Sequence, residues 1–330
     1  MIEGWPAIGA FVLAALGVGA IARYRRKNRL LDYPNYRSSH SVPTPRGGGA
    51  ALVLAVAVFT GIEAYRFQPS YGLPLAALAA ALIALAVVGW KDDHESMAVA
   101  IRLGTHVAAG AAVAILVNAI APLSGWANVV WLTAWIFWTT ASINIVNFMD
   151  GIDGMVASQG VVYGFYLFVL LSRNSFGALF ALILALSCLG FLLWNWAPAR
   201  IFLGDVGSGP LGLFFASGGA LALGGAPLPL IFLPLFPLYL DALITLLIRM
   251  RRREKLATPH RSHLYQRIAN SGVGHRPVTS VYMASAILGA VIGLVVRSAT
   301  PALVAAAVGI YVFIVSSLWW VADRRYSAHL

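Results

Sequence analysis

Long apolar stretches recur from one end of the chain to the other, separated by short polar segments. Each is close to the roughly 20 residues that an α-helix needs to cross the hydrocarbon of a bilayer. The pattern predicts about eleven such helices, at approximately 6–23, 48–65, 73–90, 103–121, 125–143, 155–171, 177–194, 208–224, 228–249, 280–296 and 301–321. We therefore expect an all-α integral membrane protein, a polytopic bundle that forms one transmembrane domain over residues 1–330.

The composition supports this class of protein. Hydrophobic residues make up 60% of the chain and charged residues only 11%, with a mean hydropathy of +0.80, whereas a soluble chain needs more charge to cover its surface. A net charge of +11 can indicate nucleic-acid binding, but the basic residues lie between the apolar stretches, where membrane topology places them. We expect no nucleic-acid partner. The single cysteine, Cys188, lies inside an apolar stretch and is expected to be inert packing.

The basic residues also predict the orientation. If residue 1 lies outside, only Arg66, Arg173 and Arg297 of the 23 Lys and Arg residues fall in outside segments. This asymmetry follows the positive-inside rule and predicts a periplasmic N-terminus and a cytoplasmic C-terminus. Glu3 precedes the first apolar stretch and a basic cluster at 23–27 follows it, which is the reverse of a secretory signal.

In this topology, every segment rich in Asp, Asn, His or Gly falls in a cytoplasmic loop. The first, 32–49, contains Arg46 followed by three glycines, with Gly48 in the middle. Bare backbone N–H groups at a helix start suit a phosphate. A connector rich in Pro and Gly would give the same pattern.

The second loop begins with Asp92 and Asp93, directly after an apolar stretch. Adjacent carboxylates at a membrane edge are costly unless a cation or a proton-transfer role compensates them. Neighbouring helical residues point about 100° apart, so the two could serve different groups. The alternative is a solvated acidic helix end.

The third loop, 144–154, packs Asn144, Asn147, Asp150 and Asp153 between two apolar stretches, with no Lys or Arg. Oxygen ligands of this kind suit Mg²⁺ and a ligand rich in hydroxyl or amide groups. Asp-Gly pairs also form structural turns, but a turn does not require this density of oxygen atoms.

Two further loops and one buried carboxylate complete the candidate chemistry. Asp205, in the segment 202–209, either caps a helix or holds a metal. The loop at 260–267 combines histidines and arginines that could bind phosphates, and its two histidines make a poor zinc site. Asp241 lies inside an apolar stretch, where a charge normally faces a cavity or a partner, so we expect it to be functional.

Together these loops resemble the polyprenyl-phosphate N-acetylaminosugar-1-phosphate transferases, glycosyltransferase family 4, to which phospho-MurNAc-pentapeptide translocase is related. The resemblance runs from Asp32 to about Arg267 and is carried by Asp92-Asp93, the 144–154 loop and Gly204-Asp205. The 260–267 loop differs from the three consecutive histidines of the translocase and from the His-x-His-His of the enterobacterial GlcNAc-1-phosphate enzymes. It looks like the branch that initiates O-antigen synthesis.

The resemblance implies a role for each candidate residue. Asp205 and Asn147 are expected to hold Mg²⁺, with Mn²⁺ as a substitute, and Asp92 or Asp93 is expected to be catalytic, as a base or as a nucleophile. The other implied groups are a uridine site and a phosphate and sugar site, formed by Phe202, Asp153 and Asp150 and by Arg102, His260, Arg261, His263 and Arg267. Further candidates are Asn144, Asp241, Arg46 and Gly48.

The implied reaction moves a sugar 1-phosphate from a UDP-N-acetylaminosugar to undecaprenyl phosphate and releases UMP. The donor is UDP-GlcNAc, UDP-FucNAc or UDP-QuiNAc, and the site faces the cytoplasm of a bacterial inner membrane. The family also suggests a homodimer. The alternative function is a transporter or lipid flippase, which would spread polar residues through the spans and over both faces, whereas this chain concentrates them on one face.

Overall fold

The computed structural model describes residues 4–34, 39, 42–66, 72–95, 97–171, 175–255 and 260–326. Within these ranges the chain is helical apart from a two-stranded antiparallel ribbon and the connecting loops. The helices are α1 (Trp5–Lys27), α2 (Gly49–Arg66), α3 (Gly72–Asp92), α4 (Val99–Ile120), α5 (Gly125–Met149), α6 (Met155–Leu170), α7 (Phe176–Asn195), α8 (Asp205–Leu221), α9 (Leu228–Ile231), α10 (Phe236–Arg251), α11 (Leu264–Ile268), α12 (His275–Val296) and α13 (Pro301–Tyr326). A 3₁₀ turn, Leu233–Leu235, precedes α10, and a π turn, Ala269–Val273, follows α11.

The predicted fold class, an all-α polytopic membrane protein, is confirmed. Among the described residues, nine helical segments are long and apolar enough to cross a membrane: α1 to α5, α7, α10 with its 3₁₀ turn, α12 and α13. The other two predicted spans, 155–171 and 208–224, correspond to α6 and α8, which have only 16 and 17 residues. Helices of that length are about 24–26 Å long and fall short of a hydrocarbon core about 30 Å thick.

Helix α8 is the centre of the bundle. Every residue from 206 to 220 is buried, and the sequence of this helix, rich in Gly, Ala and Ser, allows close approach by its neighbours. A Cβ atom on Gly212 would lie 2.5 Å from Ile143 Cα in α5. The Ser142 hydroxyl donates to the Gly212 carbonyl oxygen at 3.0 Å, which fixes the same crossing. The N-terminus of α8, where Asp205 lies, is therefore held firmly by its surroundings.

The ribbon brings the loop between α1 and α2 to this N-terminus. Its strands are β1 (Leu31–Asp32) and β2 (Thr44–Pro45). The carbonyl oxygen of Pro45, the last residue of β2, accepts the backbone N–H of Phe202 at 2.8 Å. Arg46 is thereby placed beside the segment that leads into α8.

Candidate active site

One arginine joins two of the acidic loops. Arg46 lies 2.9 Å from Asp93 Oδ1 through Nε and donates from Nη2 to Asp205 Oδ1 at 2.9 Å. Asp93 also accepts the backbone N–H groups of Asp205 (2.9 Å) and Val206 (3.1 Å). Its side chain is only 1% exposed. Asp93 therefore caps α8 from the end of α3 and fixes the position of Asp205.

Asp92 points to a different set of partners. It accepts the Met97 backbone N–H at 2.7 Å through Oδ1 and the Arg102 Nη1 group at 2.8 Å through Oδ2. Its carboxylate also lies within hydrogen-bonding reach of the Asp205 carboxylate. The two adjacent carboxylates thus contact different partners.

Four carboxylates crowd the site: Asp92, Asp93, Asp150 and Asp205. Burial raises the pKa of Asp205 to about 6, with Asp93 and Asp92 adding to the effect and Arg46 opposing it. Burial likewise raises the pKa of Asp150 well above its usual range, and Asp205 and Asp93 again contribute. Burial is the largest cause of both pKa shifts, and the neighbouring carboxylates add to it while Arg46 opposes it. A cation bound here would favour the charged carboxylates.

Gly89 permits the contact between α3 and α8 that creates this cluster. A Cβ atom at Gly89 would lie 2.3 Å from the Asp205 carbonyl oxygen, and neither backbone can yield. We expect Gly89→Ala to lower stability by about 1–3 kcal/mol and to displace Asp205, with a loss of activity. Gly61→Ala in α2, where a Cβ meets nothing within 4 Å, is the control and should gain up to about 1 kcal/mol. Equal thermal unfolding of the two variants would contradict this packing argument.

A pocket of about 770 Å³ lies beside the cluster, with α4, α5 and α10 among its walls. Its polar lining comes from Arg102, His106, Asn144, Asn147, Gly151, His260, His263 and Gln266, and its apolar lining from Val99, Leu103, Phe137, Phe148 and Leu246. Four residues predicted to bind phosphate, sugar or metal therefore line this pocket together with Asn144. They are Arg102, Asn147, His260 and His263.

The histidine loop reaches this pocket because a buried carboxylate anchors it. Asp241 in α10 is fully buried and accepts the backbone N–H groups of Leu264 and Tyr265, each at 3.0 Å. It also accepts the hydroxyl groups of Tyr282 at 2.6 Å and Thr245 at 3.2 Å. Asp241 therefore caps α11 and ties the loop to the bundle.

The rings of His260 and His263 stack with 5.0 Å between their centroids. Each ring centroid lies within 6.4 Å of the centroid of Phe148. Burial lowers the pKa of His260 to about 4, with His263 and Arg249 contributing. His260 is therefore neutral at pH 7 and can accept or donate a hydrogen bond.

Comparison with known proteins agrees with this arrangement. The model of glycosyl transferase family 4 matches residues 75–223. This range contains Asp92, Asp93, the 144–154 loop and Asp205, the groups that form the cluster. This part of the chain is similar to glycosyl transferase family 4.

The similarity to several curated relatives extends over most of the chain. The chain is 28% identical over 309 residues to the decaprenyl-phosphate N-acetylglucosaminephosphotransferase of Mycobacterium leprae (strain TN), covering 82% of this chain and 77% of the relative. It is 25% identical over 317 residues to the probable undecaprenyl-phosphate N-acetylglucosaminyl 1-phosphate transferase of Bacillus subtilis (strain 168), covering 88% and 85%. The phospho-N-acetylmuramoyl-pentapeptide-transferase of Lactiplantibacillus plantarum is 28% identical over 250 residues, covering 67% and 74%.

The three residues predicted to bind uridine have different surroundings. Asp153 is already engaged, since its Oδ2 accepts the Ala199 backbone N–H at 2.9 Å and its Oδ1 lies 3.2 Å from His275 Nδ1. Asp150 faces the carboxylate cluster instead. Phe202 has a half-buried side chain, and its backbone joins the α1–α2 loop to α8.

The backbone N–H groups of Gly48 and its neighbours are engaged within the protein. Its backbone N–H donates to the Phe202 carbonyl oxygen at 2.9 Å, as does that of Gly47 at 3.1 Å, and Gly49 donates to Leu203 at 2.9 Å. These groups are therefore not free to bind a phosphate. Residues 35–38, 40 and 41 of the same predicted motif, like Pro259 of the histidine motif, lie outside the described residues.

Two arginines of the histidine loop lie apart from the main pocket. Arg267 pairs with Asp323 of α13 and lines a second cavity of about 420 Å³, which meets the main pocket at His260. Arg261 is exposed and lines neither of these cavities. Of the histidines and arginines predicted to bind phosphate in this loop, only His260 and His263 therefore line the main pocket.

Sequence reasoning missed residues that support the site from outside the motifs. Asn195 accepts the Gly154 N–H at 2.9 Å and donates to the Ile201 carbonyl oxygen at 3.0 Å, which joins two active-site loops. His106 lines the main pocket. Only His106 carried a signal in the sequence, because it follows Arg102 by four residues and so lies on the same helix face.

Proposed function

We propose that the protein transfers an N-acetylaminosugar 1-phosphate from a UDP-sugar to undecaprenyl phosphate and releases UMP. The observation that carries this proposal is the cluster of Asp92, Asp150 and Asp205 with Arg46 and Arg102 beside a partly apolar pocket, in a chain similar to glycosyl transferase family 4. Relatives named as polyprenyl-phosphate N-acetylglucosamine 1-phosphate transferases support it. A transporter would not require this concentration of charge at one end of the bundle.

The proposed reaction is a phosphoryl transfer. An oxygen of the lipid phosphate attacks the β-phosphorus of the UDP-sugar, and a new P–O–P bond forms. The bond between the β-phosphorus and the bridging oxygen breaks, and its electron pair leaves on that oxygen with UMP. The product is a polyprenyl diphosphate sugar. Such a transfer needs alignment and charge neutralisation more than covalent assistance, so we favour direct attack over an aspartyl-phosphate intermediate.

The donor groups of the cluster suit a divalent metal. The described residues contain no group of three or more His, Cys, Asp or Glu side chains arranged to hold a metal ion. Mg²⁺, however, is usually bound through one or two carboxylates together with water and substrate phosphates. Asp205 provides one such carboxylate, with Asp150 nearby, and we keep Asn147 as a candidate ligand from the main pocket. When bound, Mg²⁺ or Mn²⁺ would neutralise charge on the diphosphate.

The residues divide into reacting and positioning groups. Asp93 is committed to α8 and Arg46, so we assign it a positioning role. Asp92 is the better candidate for the base that keeps the lipid phosphate deprotonated and in place. Arg102, 33% exposed and paired with Asp92, can contact a phosphate in the pocket. Asn147, His260 and His263 then form the wall that receives the diphosphate and sugar.

The proposed setting is the bacterial inner membrane, with the N-terminus in the periplasm and the site and C-terminus in the cytoplasm. One substrate is a lipid and the other is a soluble nucleotide, so the reacting groups must meet at the inner surface. We further propose that the product starts a lipid-linked glycan such as O-antigen, with GlcNAc, FucNAc or QuiNAc as the sugar, and that the chain forms a homodimer.

The proposal is tested by release of UMP from purified protein in detergent. We expect UMP release that depends on undecaprenyl phosphate with at least one of UDP-GlcNAc, UDP-FucNAc and UDP-QuiNAc. We expect little UMP release with UDP-MurNAc-pentapeptide. The fastest donor identifies the branch. Folded protein that releases no UMP with any donor would overturn the proposal and favour transport.

Metal removal should abolish the activity. We expect EDTA to reduce UMP release by at least about 100-fold, with recovery on addition of Mg²⁺ or Mn²⁺. An independent readout is thermal stability: Mg²⁺ should raise the melting temperature of the wild type but not of Asp205→Asn. Full activity in EDTA, or equal stabilisation of both proteins, would contradict the assignment of Asp205 to the metal.

A further inference from the structure

His106 is a buried imidazole that the proposed roles leave unexplained. It lies in α4, one helical turn beyond Arg102 and on the same face, and it is only 7% exposed. Among the described residues its buried Nδ1 atom has no hydrogen-bond partner, and its ring lies within hydrogen-bonding reach of the Asn144 side chain. A polar ring inside a membrane helix is costly unless it is paired. Because His106 also lines the main pocket, a ligand there can pair with the edge of the ring that faces it.

The pocket that His106 lines is open to lipid on one side. Val99, Leu103 and Phe137 form its apolar wall, and these side chains are 47%, 48% and 75% exposed on the outer surfaces of α4 and α5. Helices α4 and α5 are both candidate membrane spans, so these surfaces face hydrocarbon. Arg102, His106 and Asn144 stand directly beside this wall.

A phosphate attached to an apolar chain matches this combination of surfaces. A UDP-sugar carries phosphates but no apolar chain, so it gains nothing from the exposed wall. A polyprenyl phosphate can lay its first isoprene units against Val99, Leu103 and Phe137 while its phosphate meets the polar side chains. The depth of His106 in α4 then places a hydrogen-bond donor within the membrane half of the pocket, beyond Arg102.

We propose that His106 binds the phosphate of the polyprenyl acceptor together with Arg102, with Asn144 orienting the ring. This inference rests on the proposed function and assigns the lipid-facing half of the pocket to the acceptor. His106 thereby separates acceptor binding from donor binding, which the histidine loop would provide from its own part of the pocket lining.

The test is a comparison of kinetic constants for the two substrates. We expect His106→Leu to raise the KM for undecaprenyl phosphate about 10- to 100-fold, the loss typical of a hydrogen bond to a charged group. The KM for the UDP-sugar should stay within about twofold of wild type, and His106→Gln should recover part of the loss. His94→Leu is the matched control, because His94 bonds to the Trp90 carbonyl oxygen and lies outside the pocket.

A binding measurement covers the case in which His106→Leu is inactive or unstable. Undecaprenyl phosphate should raise the melting temperature of the wild type and of His94→Leu, with a much smaller rise for His106→Gln, whereas undecaprenol should affect all three equally. An acceptor KM that is unchanged, or a donor KM that rises instead, would overturn the inference while leaving the transferase proposal intact. An inactive wild type would overturn the proposed function itself.

Discussion

Replacement of Asp241 by Asn is expected to inactivate the protein although Asp241 lies inside the bundle and outside the main pocket. The carboxylate accepts two backbone N–H groups and two hydroxyl groups, and an amide can accept on only one atom. At least one buried donor loses its partner, at a cost of about 1–3 kcal/mol each. We expect a fall of about 5–10 °C in melting temperature and at least about a 100-fold loss of UMP release, since displacement of a catalytic loop by ~1 Å can have that effect.

Thr245→Val is the matched control for this prediction. Thr245 donates a hydrogen bond of 3.2 Å to the same carboxylate, but its loss leaves the backbone N–H groups of α11 paired. We expect no more than about a threefold loss of activity and about 1 kcal/mol of stability. If Asp241→Asn retained near wild-type activity, the carboxylate would not be the anchor of the histidine loop.

The second large effect should separate the two adjacent carboxylates. Asp93→Asn should lower stability by about 3 kcal/mol or more, because it removes the cap of α8 and leaves Arg46 with a weakened partner. Asp92→Asn should change stability by no more than about 1 kcal/mol and lower kcat by about 10²- to 10⁴-fold, the range for loss of a general base.

These two variants control for each other, because they make the same substitution at neighbouring positions. The measurement is thermal unfolding in detergent alongside kcat at saturating substrates. Activity lost in both variants with stability lost only in Asp93→Asn supports the division of roles. A stable Asp93→Asn beside an unfolded Asp92→Asn would reverse it.

Much of the fold follows from the sequence because burial in lipid imposes strict lengths. Runs of about 20 apolar residues have few alternatives to a spanning helix, and all eleven predicted spans coincide with helices. The exceptions in length, α6 and α8, are enclosed by other helices, so protein contacts replace lipid along much of their surface. Hydropathy cannot distinguish a helix surrounded by lipid from one surrounded by other helices.

The candidate site was harder to predict, because its geometry depends on contacts between distant loops. The motifs correctly marked the segments that meet at the N-terminus of α8. The sequence did not indicate that the Phe202 carbonyl oxygen would occupy the Gly47 and Gly48 N–H groups, or that Arg267 would pair with Asp323, 56 residues further along the chain. Asp241 was expected to be functional from its position inside an apolar stretch, but its contacts with the Leu264 and Tyr265 N–H groups could be seen only from the position of α11.

The most direct test of the central claim follows the two phosphorus atoms of the donor separately. Purified protein is incubated with undecaprenyl phosphate, Mg²⁺ and a UDP-sugar labelled at either the α- or the β-phosphorus. We predict that the β-label moves with the sugar into the lipid fraction, while the α-label stays in water as UMP. Transfer of the sugar alone, with both labels remaining in water as UDP, would contradict the assignment as a sugar-1-phosphate transferase.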